Sequence, residues 1–254
     1  MQGYRTKVQG TEELTLKDLR IQSGRARFHA AFCQDVLAHV NRHLDIGSSS
    51  GKLLQAIAEA SGGAGVGVEP GDVYREACIE AGYEVYPSLP AMEAASDKPF
   101  DLITMSHVLE HIPDPYEYLL HLRETCLSPG GYLMIEVPNL YGHMSYELTH
   151  LHAFSPGVLR LLLEGTGFRV MRVRTHGIPR SPILRLYLTI LAKADGDVKP
   201  REALRRASFL TGPRRKLGMK IHQVLTQKLP TQTWKALPLL DEELDQEQVR
   251  HDER

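Results

Sequence analysis

Apolar residues recur at Phe28, Phe32, Val36 and Val40, the spacing of one helix face, and predict an amphipathic helix leading into the domain. Beyond it, short apolar runs alternate with helical patterns. Strand-like runs at Leu44–Ile46, Gly65–Glu69, Glu84–Tyr86, Phe100–Met105 and Tyr132–Val137 enclose helical segments at about 51–60, 71–81 and 115–126. Such β-α-β alternation predicts a mostly parallel sheet with helices on both faces. After Pro138-Asn139 a loop rich in His and Tyr runs to about residue 154. Ser155-Pro156 then starts a helix, Ser as N-cap and Pro at the first helical position, which ends near Gly165-Thr166-Gly167. Two last runs, Phe168–Arg174 and Leu184–Ala192, predict an antiparallel pair at the sheet edge and bring the strands to seven.

This pattern divides the 254 residues into a helical cap (1–40), one α/β domain (41–194) and an extension (195–254). The extension changes composition along its length. Residues 199–228 carry nine Lys or Arg against one acid, Glu202, whereas 241–254 is acidic, poor in apolar residues and expected to be disordered. The basic stretch has Leu204, Leu210, Leu217, Ile221, Val224 and Leu225 interleaved. It reads as a solvated helical face, or as a contact with anionic lipid, a phosphorylated substrate or a partner. The net charge of −1 and the lack of aromatic platforms argue against nucleic acid. Cys33, Cys78 and Cys126 form no C-x-x-C pair and read as reduced thiols. With a charged N-terminus and no long apolar run, they point to a cytoplasmic protein without signal peptide or membrane span.

The chemistry concentrates in Leu44-Asp45-Ile46-Gly47-Ser48-Ser49-Ser50-Gly51-Lys52, where a strand runs into a small-residue turn and a helix starts at once. Small residues let backbone approach a ligand, and the helix N-terminus offers free N–H groups. A dinucleotide fingerprint would need glycine at Ser49 and Leu54, and a P-loop would need Ser or Thr at Leu53. Gly47-Ser48-Ser49-Ser50-Gly51 does match G-x-S-x-G, the nucleophile elbow of serine hydrolases, although those enzymes place earlier strands before it. The next strand ends in Gly67-Val68-Glu69-Pro70. A carboxylate there lies beside the loop, where its two oxygens can accept from both hydroxyls of a ribose. Asp45 would repel a pyrophosphate but suits a sulfonium or an ammonium.

Together these segments resemble the class I S-adenosylmethionine-dependent methyltransferases, over about residues 40–194. Asp45-Ile46-Gly47-x-Ser49-x-Gly51 and Glu69 are similar to that family's first two motifs, with Ser49 in place of the commoner glycine. Phe100-Asp101-Leu102-Ile103 with His107–Pro115 is similar to its fourth-strand signature, and Leu127–Leu133 to the turn before its fifth strand. His150–Ser155 through Gly167-Phe168 resembles the subgroup acting on small molecules and sugars. The resemblance implies a Rossmann-like, seven-stranded sheet with an antiparallel edge strand, and S-adenosylmethionine as cofactor. It further implies that backbone around Gly47 and Gly51 meets the methionine part, Glu69 the ribose, and Ser88-Leu89 the adenine. Ser106 and His107 then face the reactive end, although His107 reads equally as a structural histidine.

Methyl transfer needs chiefly alignment of acceptor and sulfonium, with a general base if a hydroxyl or carbon is methylated. The 139–154 loop offers His150 as base, with His152 or Tyr146 as alternatives. Its histidines with Glu147 could also ligate a metal, but their spacing matches no local pattern, so no metal is expected. The expected acceptor is a small molecule, with a sugar or glycan precursor as the finer reading. A catalytically inactive nucleoside-binding scaffold and a Ser49 hydrolase are the alternatives.

Overall fold

A computed structural model describes residues 14–144, 148–204 and 210–240. The acidic stretch 241–254, with its expected disorder, and Tyr146 lie outside the described residues. The chain opens with α1 (Leu16–Leu37), started by a reciprocal cap in which Asp18 N–H donates to Thr15 Oγ1 (3.2 Å) and Thr15 N–H to the Asp18 carboxylate (3.3 Å). Phe28, Phe32 and Val36 are buried, as their spacing predicts, against Leu53, Ile57, Leu102, Met134 and Leu191. The predicted cap helix is therefore part of the core.

Five parallel strands follow: β1 (Arg42–Ile46), β2 (Ala64–Val68), β3 (Glu84–Tyr86), β4 (Phe100–Ser106) and β5 (Leu127–Pro138). Between them run α2 (Lys52–Ser61), α3 (Asp72–Glu80), α4 (Leu89–Ala95) and α5 (Pro115–His121), the last continued by a wider π turn at Leu122–Cys126. The next helix, α6 (Pro156–Gly165), has Ser155 accepting from Val158 N–H as expected. It leads into β6 (Arg169–His176) and β7 (Tyr187–Lys193). The sheet order is β3-β2-β1-β4-β5-β7-β6, with β7 antiparallel to both its neighbours. Its near-continuous burial fits an insertion between β5 and β6 rather than a solvent edge. Two lengths differ from the sequence pattern. The turn at residues 128–131 is a bulge inside β5, since Phe100 pairs with Leu127 but Leu102 with Tyr132. The apolar run begins at Leu184, but Leu184 and Leu186 pack with Tyr187 under a later helix instead of extending β7.

The order reverses at β1, whose neighbours are β2 on one side and β4 on the other. Crossovers there leave in opposite directions and open a crevice at the strands' carboxyl ends. Ile46 pairs with Val68 and with Met105, so three strand ends finish level beneath that crevice. The basic extension forms α7 (Thr211–Lys228) and a short α8 (Pro230–Thr233). Cys33, Cys78 and Cys126 are buried and unpaired. No helix among the described residues is long and apolar enough to cross a membrane.

Candidate active site

The loop after β1 holds a conformation that only some residues accept. Gly47 has φ +80° and Gly51 φ +79°, both left-handed, and Ser49 joins them at φ +50°. A Cβ on Gly47 would stand 2.6 Å from Val108 Cγ2, and one on Gly51 2.8 Å from Cys78 Sγ. The glycines thus answer both conformation and close approach. Gly47 N–H donates to Val68 O (2.7 Å), tying the loop to the end of β2. Glu69 completes the clasp: its Oε2 accepts from Ser49 N–H (2.9 Å) and its Oε1 from Gly71 N–H (2.8 Å). Each oxygen keeps a second lone pair for a ligand hydroxyl.

Above the loop lies a cavity of about 560 Å³. Asp45, Gly47, Ser49, Glu69, Ser88, Leu89, Ser106, His107 and His150 all line it, brought together at the carboxyl ends of β1, β2, β3, β4 and β5 and the loops that follow them. Gly51 stands behind that lining as the N-cap of α2. His152 lies outside it: its N–H donates to Glu110 O and its ring turns to Pro113 O, 3.3 Å away. The side chain is committed to fastening the loop, so the structure does not support His152 as a base facing the cavity. Ser49 has no histidine hydrogen-bonded to it among the described residues, and its N–H is held by a carboxylate, which is not the arrangement of an activated nucleophile.

Asp45 is buried at the floor, and the parallel register sets it opposite Thr104. Thr104 Oγ1 donates to Asp45 Oδ1 (2.7 Å) and lies 2.7 Å from His43 Nε2. Burial pushes the Asp45 carboxyl up to about 7, against the Thr104 hydrogen bond and with help from nearby Glu69. Burial likewise lowers His43 to about 3, so it stays a neutral partner of the hydroxyl.

The far end of the cavity contains residues that the sequence reading missed. Glu136, fully buried on β5, faces Arg25 Nε and His29 Nε2, both at 2.8 Å, His176 Nε2 at 3.1 Å and His107 Nε2 at 3.3 Å. Thr189 Oγ1 also donates to it (3.1 Å). Desolvation opposes its charge, but the cations and hydrogen bonds around it hold the carboxyl well below the usual range. His29 is lowered by its own burial, although Glu136 pulls the other way, and acts as a neutral donor. Two signals in the chain point to this cluster: a lone acid inside the apolar run 132–137, and Arg25 and His29 four residues apart on α1. Arg25, His29, His107 and Tyr187 line the cavity above Glu136.

His107, at φ +58°, has its ring between Glu136 and Glu110, the latter 3.3 Å from Nδ1. Burial and Arg25 depress its pKa, but the two carboxylates outweigh them and raise it. It is therefore held by the two carboxylates and lines the cavity at once. His150 Nε2 is 4.0 Å from Glu110 Oε1, and its ring meets His111 edge-on with centroids 4.8 Å apart. Glu110, His111 and His150 each offer one ligand atom, all within 4.8 Å of one another. Such a set could seat a divalent cation. No local spacing announces it, because His150 comes from a separate loop.

A family profile described as a methyltransferase domain matches residues 19–173. The ubiquinone biosynthesis O-methyltransferase of Aeromonas salmonicida is 36 % identical over 104 residues, which cover 39 % of this chain and 43 % of that protein. Its namesake in Pseudoalteromonas translucida is 33 % identical over 166 residues, covering 57 % and 69 % respectively. The chain thus spans less than half of the first relative and about two thirds of the second. Among solved structures, the 1,6-didemethyltoxoflavin-N1-methyltransferase of Burkholderia thailandensis superposes with a TM-score of 0.55 at 20 % identity, over 71 % of this chain and 82 % of that one, a likeness of fold. The profile covers more than half of the sequence, including most of the elements that build the cavity, and the chain belongs to the methyltransferase domain family.

Proposed function

We propose that this protein transfers a methyl group from S-adenosylmethionine to a hydroxyl of a small-molecule acceptor. The observation that carries the reading is the clasped loop between β1 and β2. Glu69 keeps acceptor capacity for a ribose diol, the left-handed glycines clear space for the methionine part, and buried Asp45 waits beneath them for a cation. Ser88 and Leu89 then border the adenine, and Ser106 and His107 the sulfonium end. Family membership and the names of the relatives support the same chemistry.

His150 is the proposed base. It lines the cavity at the carboxyl edge, its side chain is mostly buried, and the Glu110 carboxylate lies beside its Nε2. The acceptor enters at the end lined by Arg25, His29, Val108, Ile112 and Tyr187. Two acceptors fit: the sugar or glycan precursor suggested by residues 150–168, and a ubiquinone precursor, as the relatives' names suggest. The apolar and aromatic lining favours the second. A cytoplasmic location and an extension beginning at residue 195 belong to the same proposal, with residues 1–40 as a cap whose helix shares the domain's core.

The test is turnover of S-adenosylmethionine with a panel of sugar and phenolic acceptors, for the native protein and His150→Gln. The expected result is methylation of one class, reduced about 100-fold or more by the substitution, with cofactor affinity kept. Cofactor binding without turnover on any acceptor would favour the inactive scaffold. The donor set at Glu110, His111 and His150 gives a second reading, in which His150 holds a cation rather than a proton. Chelation separates the two: turnover that survives it belongs to the base, and turnover lost and restored by a divalent cation to the metal.

A further inference from the structure

Helix α7 is apolar on two sides. Its inner side is already partnered. Leu225 packs on the cluster of Leu184, Leu186 and Tyr187, His222 Nδ1 donates to Gly142 O (3.0 Å), Arg215 donates to Leu140 O, and Gly218 lets the helix backbone close on Tyr141 O. The outer side carries Leu217, Ile221 and Val224, exposed at 61 %, 50 % and 42 %. Steps of four and three residues place them in one stripe along the helix. Arg214, Lys216, Lys220 and Lys228, all exposed, surround it. From residue 203 to residue 240 the sequence contains no acid. Just past the helix, Leu229 and Trp234 are exposed at 41 % and 37 %.

We infer that the outer face of α7 docks this protein on an anionic membrane surface. An apolar stripe about 11 Å long, flanked by cations, matches the layering of a bilayer interface: acyl chains below and anionic headgroups beside. A solvated helix would gain nothing from the stripe, and the core does not use it. The chain's own acidic stretch is a poor alternative occupant, since residues 241–254 offer seven acids but only Leu244 and Val249 as apolar side chains. The inner face holds the 139–143 loop, whose His143 lines the cavity, so docking brings that side of the cavity towards the membrane. The inference is independent of the reaction assigned to the cavity.

Co-sedimentation of the full chain with vesicles tests it. Vesicles of phosphatidylcholine with about one-third phosphatidylglycerol are compared with phosphatidylcholine alone, at about 0.1 M and about 0.5 M salt. Binding is expected on the anionic vesicles, weakened by salt and absent on the neutral ones. The triple variant Leu217→Ser, Ile221→Ser, Val224→Ser, and separately Lys216→Gln, Lys220→Gln, Lys228→Gln, should each bind about tenfold weaker or less. Circular dichroism and S-adenosylhomocysteine binding show that the variants remain folded. Absence of binding to anionic vesicles, or unchanged binding of the serine variant, overturns the inference. So does sedimentation as a dimer that the serine variant abolishes, because the stripe's occupant would then be a second copy.

Discussion

Asp45 should make cofactor affinity depend on pH in a direction fixed by its burial. In the unliganded fold its carboxyl is pushed up to about 7, so it is largely protonated at pH 6 and largely ionised at pH 8. Because the folded pKa lies above the unfolded one, the carboxyl contributes stability at low pH that is lost as pH rises through about 7. A cationic ligand beside it reverses the balance by favouring the ionised form. Only the ionised fraction, about one in eleven at pH 6 and about ten in eleven at pH 8, is ready for the cation. Affinity for S-adenosylmethionine should therefore rise about tenfold between those values, about 1.4 kcal/mol. Calorimetry in two buffers of different ionisation enthalpy should also register proton release at pH 6.5. Adenosine, which lacks the methionine part, should bind with no such slope, and Asp45→Asn should remove the slope for S-adenosylmethionine while Thr104 still finds an acceptor. A flat profile in the native protein, or the same slope in Asp45→Asn, would show that Asp45 is not the partner of the ligand's cation.

Glu69→Ala should weaken adenosine binding by about 1–3 kcal/mol, because a charged acceptor for the ribose is lost and two backbone N–H groups lose theirs. Unchanged affinity by calorimetry would remove Glu69 from the site. Gly51→Ala should lower stability in urea by roughly 1–3 kcal/mol through strain at φ +79° and the approach to Cys78; an unaltered midpoint would contradict the packing described for the loop. Glu136→Ala should cost about 3–5 kcal/mol, since half-buried Arg25 would lose its anion and buried His29 and His176 the acceptor their rings face. The native carboxyl is depressed, so its contribution is present above the ordinary carboxylate range and lost as pH falls through its lower folded value. The variant's urea midpoint should therefore be less sensitive to acid than the native one.

The alternation of strands and helices, the cap helix, the Ser155 start and the meeting of the Gly47–Gly51 loop with Glu69 are legible in the residues alone. Those features are local: periodicity is read within one element, and the Gly47–Gly51 loop and Glu69 stand at consecutive strand ends that a parallel sheet must place side by side. What depends on distant partners is visible only once the chain is folded. Glu136 reads only as an odd acid until α1 brings Arg25 and His29 to it from more than 100 residues away. His152 and His150 are alike in sequence, and the hydrogen bonds to Glu110 O and Pro113 O turned the first away while the second stayed on the cavity wall. The bulge in β5 and the place of β7 depend on pairing register, which no single strand specifies. The two apolar sides of α7 overlap in the sequence and separate only when one of them is seen packed against the fold.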